Sequence, residues 1–152
     1  MSSGTKVAIL MGSKNDEPTM AKAAAMLERF GVEHEMHVKS AHRNPAEVSA
    51  FASGAREAGY AAIICGAGMA AHLAGVVAAH TTIPVIGVPL ASGALNGVDA
   101  LYATVQMPPG IPVSTVAIDG AGNAALVAIS ILSLNDDVLV KKLAEFRAGG
   151  AR

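Results

Sequence analysis

Residues 7–16, VAILMGSKND, pass from a continuous apolar run through a glycine–serine turn into a helical pattern. An uninterrupted apolar run of this kind is typical of a strand that is covered on both faces of a sheet. The turn presents backbone N–H groups and a hydroxyl at the start of a helix, where a phosphate binds readily. Capping of that helix by Ser13 and Asp16 explains the same residues equally well. The stretch therefore predicts a parallel strand and a helix, with a candidate ligand site between them.

Strand-like and helix-like patterns alternate along the rest of the chain. The predicted strands cover residues 7–11, 33–38, 61–65, 84–89 and 113–118, and the predicted helices cover 16–30, 45–58, 69–79, 98–105, 123–134 and 136–147. Five strands separated by helices indicate a parallel sheet with helices on both sides. We expect a flavodoxin-like three-layer α/β sandwich with a five-stranded parallel sheet. Residues 1–152 should form one domain, with the closing AGGAR (148–152) frayed.

The composition is poor in charge, with 15% charged and 52% hydrophobic residues. Two hypotheses explain this deficit: a membrane protein, or a protein that hides apolar surface between its own copies. Prolines at 84, 89, 108, 109 and 112 or charged residues interrupt the apolar stretches before any reaches the length of a spanning helix. The N-terminal MSSGTK also lacks the pattern of an export signal. We therefore expect a cytoplasmic homo-oligomer and no membrane association.

Other compositional features restrict the partners. The formal net charge is −1 and aromatic residues make up 3% of the chain, so neither a basic stripe nor a stacking surface is predicted for a nucleic acid polymer. The lone Cys65 cannot form an internal disulfide and is expected in the core. His34 and His37 are three residues apart on a predicted strand and point to opposite faces, which disfavours a shared metal. A small-molecule ligand is the expected partner.

In a doubly wound sheet the ligand lies beyond the carboxyl ends of the strands. The segments that leave the five predicted strands are GSKND (12–16), SAHRNP (40–45), GAGMAAH (66–72), LASGALNG (90–97) and DGAGN (119–123). They contain seven of the 16 glycines and many of the polar residues that are not simple helix surface. We expect the functional site among these loops.

The loop at 40–45 carries the strongest chemical signal. Arg43 offers a fork of donors that suits a phosphate, and the Ser40 hydroxyl supplies a further donor. His42 lies between these residues in sequence. A lone histidine is usually structural or a capping group, but the shared loop with Arg43 and the helix that follows favour a functional role. The glycines and alanines of residues 66–71 allow a close approach to a flat ligand, but they do not match a dinucleotide fingerprint. His72 fits a site and a subunit interface equally well.

Several of these loops form a set of motifs that resembles a known family. The motifs, in order along the chain, are MGSKND, SAHRNP, GAGMAAHLAG, PVIGVPL, VQMPPGIPV and NAAL. Together they resemble the PurE family, the N5-carboxyaminoimidazole ribonucleotide mutases of de novo purine synthesis. The resemblance covers nearly the whole chain. It implies a flavodoxin-like subunit in a homo-octamer, with no metal or organic cofactor and with sites built partly from neighbouring subunits.

The same resemblance assigns residues to roles. It implies that Ser13, Asp16, Ser40 and Arg43 hold the ribose phosphate and that His42 transfers protons, while His72 points to the mutase branch. The implied reaction moves a carboxylate from the exocyclic nitrogen to the ring carbon through decarboxylation and recarboxylation. The predicted catalytic residues are His42 and His72, and the predicted substrate-binding residues are Gly12, Ser13, Asp16, Ser40, Ala41, Arg43, Gly66, Ala67, Gly68, Met69, Ala70, Ala71 and Leu73.

The sequence departs from the common PurE pattern at Met69 in place of glycine, Ala74 in place of proline and Glu17 in place of a frequent aromatic residue. Met69 is the departure nearest the predicted chemistry. Two other functions remain open: carboxylation of aminoimidazole ribonucleotide with free carbon dioxide, and non-catalytic binding of a phosphosugar. A receiver domain is disfavoured because Cys65 ends the third strand, where an aspartate is needed. A flavin carrier is disfavoured because the chain has no tryptophan and two tyrosines.

Overall fold

The computed structural model describes residues 5–152. Residues 1–4 lie outside the described residues. They belong to the N-terminal MSSGTK, for which we expected no export signal. The strands are β1 Lys6–Met11, β2 His34–Val38, β3 Tyr60–Gly68, β4 Val85–Leu90 and β5 Ser114–Thr115. The helices are α1 Glu17–Phe30, α2 Pro45–Gly54, α3 Leu73–His80, α4 Val98–Val105, α5 Ala121–Leu132 and α6 Asp137–Ala148. Among the described residues, no helix has the length and apolarity needed to cross a membrane.

The strands form one parallel sheet in the order β2-β1-β3-β4-β5. Consecutive strands that pair in parallel need helical crossovers, and helices cover both faces of this sheet. The order and the layers are those of the flavodoxin-like fold. The predicted three-layer α/β sandwich with a five-stranded parallel sheet is therefore confirmed.

Two apolar clusters, one on each face of the sheet, make up the core. Alternate residues of β1 point to opposite faces, as the pleat requires. Ile9 packs with residues of α1, α5 and α6, whereas Leu10 packs with residues of α2 and α3. Both side chains are fully buried. Burial on both faces explains why β1 is a continuous apolar run rather than an alternating one.

Some element boundaries differ from the prediction. Helix α2 ends at Gly54, not at residue 58, and the chain then turns through Gly59 at φ 87°. Helix α3 begins at Leu73, not at residue 69, because β3 continues to Gly68 and Met69 has φ 54°, which no helix accommodates. Asn44 lies at the predicted N-cap of α2, but its side chain makes no capping hydrogen bond.

The predicted strand 113–118 is reduced to Ser114–Thr115. Its partners on β4 are Ile86 and Gly87, and the Asp119 N–H donates to the Pro89 carbonyl at 2.8 Å. The backbone of Pro89 therefore faces β5, where proline has no N–H to donate. The pairing of β5 with β4 ends at Thr115 and Gly87 because the next bond would need this missing N–H.

The C-terminal segment is hydrogen-bonded back onto the protein. Asp136 caps α6 by accepting from Val138 N at 2.9 Å and Leu139 N at 3.2 Å. Beyond α6, Ala151 N donates to the Phe146 carbonyl at 2.9 Å. The Arg29 guanidinium donates to the Arg152 carbonyl at 3.0 Å. The predicted fraying of AGGAR concerns motion and stays a prediction.

Candidate functional site

The loops that follow β1, β2, β3 and β4 surround one cavity of about 440 Å³ at the carboxyl edge of the sheet. A volume of this order suits a ligand of nucleotide size. Every predicted site residue except Gly66 and Ala71 lines it. The lining residues are Gly12, Ser13, Asn15, Asp16, Ser40, Ala41, His42, Arg43, Ala67, Gly68, Met69, Ala70, His72, Leu73 and Ser92.

The first loop forms a capping box at the start of a short 3-10 helix, Lys14–Asp16, which leads into α1. The Ser13 hydroxyl accepts from Asn15 N at 3.2 Å, and the Asp16 carboxylate accepts from Ser13 N at 3.1 Å. Burial raises the pKa of Asp16, and the hydrogen bond from Ser13 opposes that rise. Ser13 keeps its hydroxyl proton for an anion, and Asp16 keeps a second carboxylate oxygen for a ligand hydroxyl.

The second loop is a turn held by Ser40. Its hydroxyl accepts from Arg43 N at 3.2 Å, and its carbonyl accepts from Asn44 N at 2.8 Å. These bonds leave the His42 and Arg43 side chains exposed at the cavity. No carboxylate among residues 5–152 forms an ion pair with Arg43. Its guanidinium charge is therefore free for an anion that enters from solvent.

His42 and His72 meet in the cavity. The Nε2 atom of His42 lies 2.7 Å from the Nδ1 atom of His72, and the two rings cross at 88°. A hydrogen bond between two imidazole nitrogens requires a proton on one of them and a free lone pair on the other. The bond therefore couples the tautomers of the two rings, and the Nδ1 atom of His42 remains available to a ligand.

The third loop approaches the fourth closely. A Cβ atom added at Gly68 would lie 2.8 Å from Ser92 Oγ and 3.3 Å from the Leu90 carbonyl oxygen, so a side chain here would crowd the fourth loop. The loop then turns through Met69, where Ala71 N donates to the Met69 carbonyl at 2.8 Å. This turn directs Ala70 and His72 toward the cavity while Ala71 points into the core.

Two predicted binding residues lie away from the cavity. Ala71 is buried, with 1% of its surface exposed. A Cβ atom at Gly66 would overlap the buried side chain of Met20, so the glycine allows α1 to pack on β3. Conversely, the sequence did not single out Asn15 and Ser92, although both lie within the loops that the strand-end rule selects. That rule alone would have found them.

The remaining histidines and the cysteine are placed elsewhere. His34 Nδ1 lies 3.1 Å from the Val32 carbonyl oxygen, and His80 Nδ1 lies 3.5 Å from Ser49 Oγ. His37 Nε2 lies 3.4 Å from the Glu35 carboxylate. Cys65 is buried, and burial raises the pKa of its thiol, which keeps it protonated. Its predicted place in the core is confirmed.

A second cavity, of about 460 Å³, lies at the opposite edge of the sheet. Its lining includes Glu33, Arg56 and Asp136 but no histidine. Asp136 is engaged in capping α6, and Arg56 donates to Thr82 Oγ1 at 3.1 Å. The carboxyl-edge cavity instead joins a free cationic side chain and hydroxyl donors to a pair of imidazoles. These groups can bind a small anionic molecule and transfer protons to and from it.

Comparison with known proteins agrees with this class of site. The sequence model of the AIR carboxylase family matches residues 6–152, and the chain belongs to that family. A relative from Pyrococcus abyssi, named N5-carboxyaminoimidazole ribonucleotide mutase, is 57% identical over 142 residues, which are 93% of this chain and 82% of the relative. The protein of the same name from Escherichia coli K12 is 54% identical over 144 residues, covering 93% of this chain and 85% of that protein.

Solved structures also match. The crystal structure of Treponema denticola PurE superposes with a TM-score of 0.86 at 31% identity, and the match covers 95% of this chain and 90% of that one. The resemblance to PurE proteins that the motifs suggested is therefore confirmed at the level of the family. The match to the family model, over residues 6–152, includes the loops that bring His42, Arg43 and His72 together.

Proposed function

We propose that this protein is an N5-carboxyaminoimidazole ribonucleotide mutase of de novo purine biosynthesis. It converts its substrate into 4-carboxy-5-aminoimidazole ribonucleotide, which makes it an isomerase. The observation that carries the proposal is the contact between His42 and His72 beside the free guanidinium of Arg43 in one cavity. The names of the relatives from Pyrococcus abyssi and Escherichia coli support the same substrate and reaction.

The ribose phosphate is the anchor of the substrate in this proposal. Arg43 makes charge-assisted hydrogen bonds to the phosphate, and the hydroxyls of Ser13 and Ser40 donate further bonds. The capping box fixes the orientation of Ser13, and the turn at 40–44 fixes that of Ser40. Asp16 accepts from a ribose hydroxyl. The phosphate thus holds the substrate at one side of the cavity and leaves the aminoimidazole ring near the histidines.

His42 transfers the protons of the reaction. In the first half, the bond between the exocyclic nitrogen and the carboxylate carbon breaks, carbon dioxide is released, and the nitrogen gains a proton. In the second half, the ring carbon attacks that carbon dioxide through a new carbon–carbon bond, and the ring carbon then loses its proton. One proton is supplied and one is taken up, so a single imidazole completes the cycle. The chemistry uses no metal or organic cofactor.

His72 positions His42 for this work. The 2.7 Å hydrogen bond between the rings holds the His42 ring and couples its tautomer to that of His72. Ala67, Ala70 and Leu73 line the same cavity with apolar surface. Such a surface excludes water and favours recapture of an uncharged gas molecule over its escape.

Two alternative functions are less well supported. A carboxylase that uses free carbon dioxide would share the phosphate-binding residues, but His72 of the third motif resembles the mutase branch. A phosphosugar-binding regulatory protein would use Ser13, Asp16 and Arg43 and would have no need of two paired imidazoles. The histidine pair therefore favours an enzyme over a binding module.

We also propose that the protein works as a homo-oligomer, with an octamer as the expected form, in the cytoplasm. Val98, Tyr102 and Val105 of α4 are exposed and lie at helical spacing on one side of the helix. An exposed apolar stripe of this kind suits contact with another copy of the chain. The low charge content of the whole sequence supports the same assembly.

The test of the function supplies purified protein with N5-carboxyaminoimidazole ribonucleotide in the absence of ATP and metal. A parallel reaction contains aminoimidazole ribonucleotide and carbon dioxide. Faster formation of the ring-carboxylated product in the first reaction is expected. Faster formation in the second would assign the protein to the carboxylases, and no product in either would overturn the catalytic role of His42.

A further inference from the structure

Met69 has two features that are unfavourable for folding, and both occur at the rim of the cavity. Its backbone lies in the left-handed region at φ 54°, where a side chain is strained. Its side chain is 58% exposed, which leaves apolar surface in water. Neither feature is relieved by core packing. Strained residues of this kind cluster at functional sites.

The Met69 side chain bridges two loops. It lines the cavity together with His72 and Ser92. Its Cγ, Sδ and Cε atoms lie 3.6–3.8 Å from the position of a Cβ atom on Gly93, so the thioether rests over the backbone of that glycine. Gly93 belongs to the loop that follows β4, whereas Met69 belongs to the loop that follows β3. The side chain thus spans the gap between these loops beside the histidine pair.

We propose that the Met69 side chain covers the mouth of the cavity and retains carbon dioxide between the two halves of the reaction. Met69 thereby determines which product forms: the ring-carboxylated isomer or the decarboxylated ribonucleotide. This inference rests on the proposed mutase function. Carbon dioxide has no charge by which the protein could hold it, so an apolar cover over the mouth adds to the retention by the apolar walls of the cavity. Methionine is unbranched and flexible, which lets the cover move aside for the ribonucleotide. The glycine of the common PurE pattern would remove both the strain and the cover.

The test measures two products of N5-carboxyaminoimidazole ribonucleotide: the ring-carboxylated isomer, and aminoimidazole ribonucleotide formed when carbon dioxide escapes. A reaction without enzyme corrects for spontaneous decarboxylation. Met69→Gly and Met69→Ala are expected to raise the escaped fraction severalfold, whereas Met69→Leu keeps it near that of the wild type. Met69→Gly should melt about 2–4 °C above Met69→Ala, because only alanine retains the left-handed strain.

Asn96→Gly is the matched control. Asn96 also has a positive φ, 49°, and lies in the loop after β4, but it does not line the cavity. Its replacement should leave the product ratio unchanged. The inference is overturned if Met69→Gly and Met69→Ala give the wild-type ratio, or if Asn96→Gly raises the escaped fraction as much as they do. A wild-type protein that forms no ring-carboxylated product would instead refute the proposed function, and the role of Met69 with it.

Discussion

The Nε2 atom of His42 donates to or accepts from the Nδ1 atom of His72 at 2.7 Å, across 30 residues of sequence. One ring follows β2 and the other precedes α3, so the sheet brings together two groups that no local motif connects. The pair is the arrangement from which the catalytic predictions follow.

The two imidazoles should act as one unit. His42→Asn is expected to lower kcat by a factor of about 10²–10⁴, the usual contribution of general acid–base catalysis, while aminoimidazole ribonucleotide still binds. His72→Asn should lower kcat by less, because His72 acts through His42. The double variant should be no slower than His42→Asn. Steady-state kinetics and calorimetric titration measure these effects, and unchanged turnover in His42→Asn would contradict the assigned role.

The phosphate site should depend on Arg43. Arg43→Met is expected to raise KM by about 10–100-fold, since a hydrogen bond to a charged group contributes about 1.5–3 kcal/mol. The value of kcat should change little, because the phosphate is bound equally in the ground and transition states. Arg43→Lys should fall between the wild type and Arg43→Met, because lysine keeps the charge and loses the fork.

Arg56→Met serves as the control for loss of a positive charge. Arg56 lines the cavity at the opposite edge of the sheet and donates to Thr82 Oγ1. Its replacement should leave KM at the wild-type value. An equal rise of KM in both variants would show that Arg43 acts through the net charge of the protein and makes no direct contact with the phosphate.

Acid should destabilise the protein through Glu35. Hydrogen bonds from Lys6 and Tyr60 lower the pKa of this carboxyl to about 2, from an ordinary value of 4.5. Because the pKa is lower in the folded state, the stabilisation is present above about pH 4.5 and is lost as the pH falls toward 2. Glu35→Gln should therefore flatten the dependence of the free energy of unfolding on pH over this interval.

Urea unfolding at a series of pH values measures that dependence. Glu28→Gln is the control, because Glu28 is exposed on α1 and forms no ion pair among residues 5–152. It should preserve the slope of the wild type. A Glu35→Gln variant with the wild-type slope would show that other carboxyl groups dominate the acid sensitivity.

Gly87 should be required for the packing of α4 on the sheet. A Cβ atom at this position of β4 would overlap the Thr104 side chain and lie 2.9 Å from Val113 Cγ1. Gly87→Ala is expected to cost about 1–3 kcal/mol of the free energy of unfolding. Thr104→Ser in the Gly87→Ala background should recover part of the loss, because it removes a methyl group and keeps the hydroxyl bond to the Ala100 carbonyl.

Gly54→Ala is the comparison for this substitution. Gly54 ends α2 with open space around the position of its Cβ atom. Alanine there should leave stability unchanged or raise it by up to about 1 kcal/mol. Thermal unfolding of the three variants distinguishes crowding at Gly87 from a general effect of replacing glycine.

The order of the elements could be predicted because each strand and helix carries its own periodic pattern. The apolar run of β1 reports burial on both faces, and that pattern is local to the sequence. The boundaries of an element that depend on hydrogen bonds to a neighbouring strand could not be predicted from such a local pattern. The length of β5 is set by the missing N–H of Pro89, which lies more than twenty residues away in the chain.

The location of the candidate site, a cavity at the carboxyl edge of the sheet, follows from the rule that ligands bind beyond the carboxyl ends of parallel strands. His42 and Arg43 were selected by residue type within one loop. The contact of His42 with His72 could not be derived from either loop alone, because it depends on the distance between β2 and α3 in space. The packing role of Gly66 was also hidden, since its partner Met20 lies on α1.

The short fifth strand also bears on the colloidal behaviour of the protein. The exposed edges of a sheet are where chains pair wrongly and aggregate. One edge here is Ser114–Thr115, preceded by prolines at 108, 109 and 112, which cannot donate to an incoming strand. The other edge is β2, where His34, Glu35 and His37 are polar or charged. Although only 15% of the residues are charged, the two edges of the sheet therefore offer little backbone with which a strand of another molecule could pair.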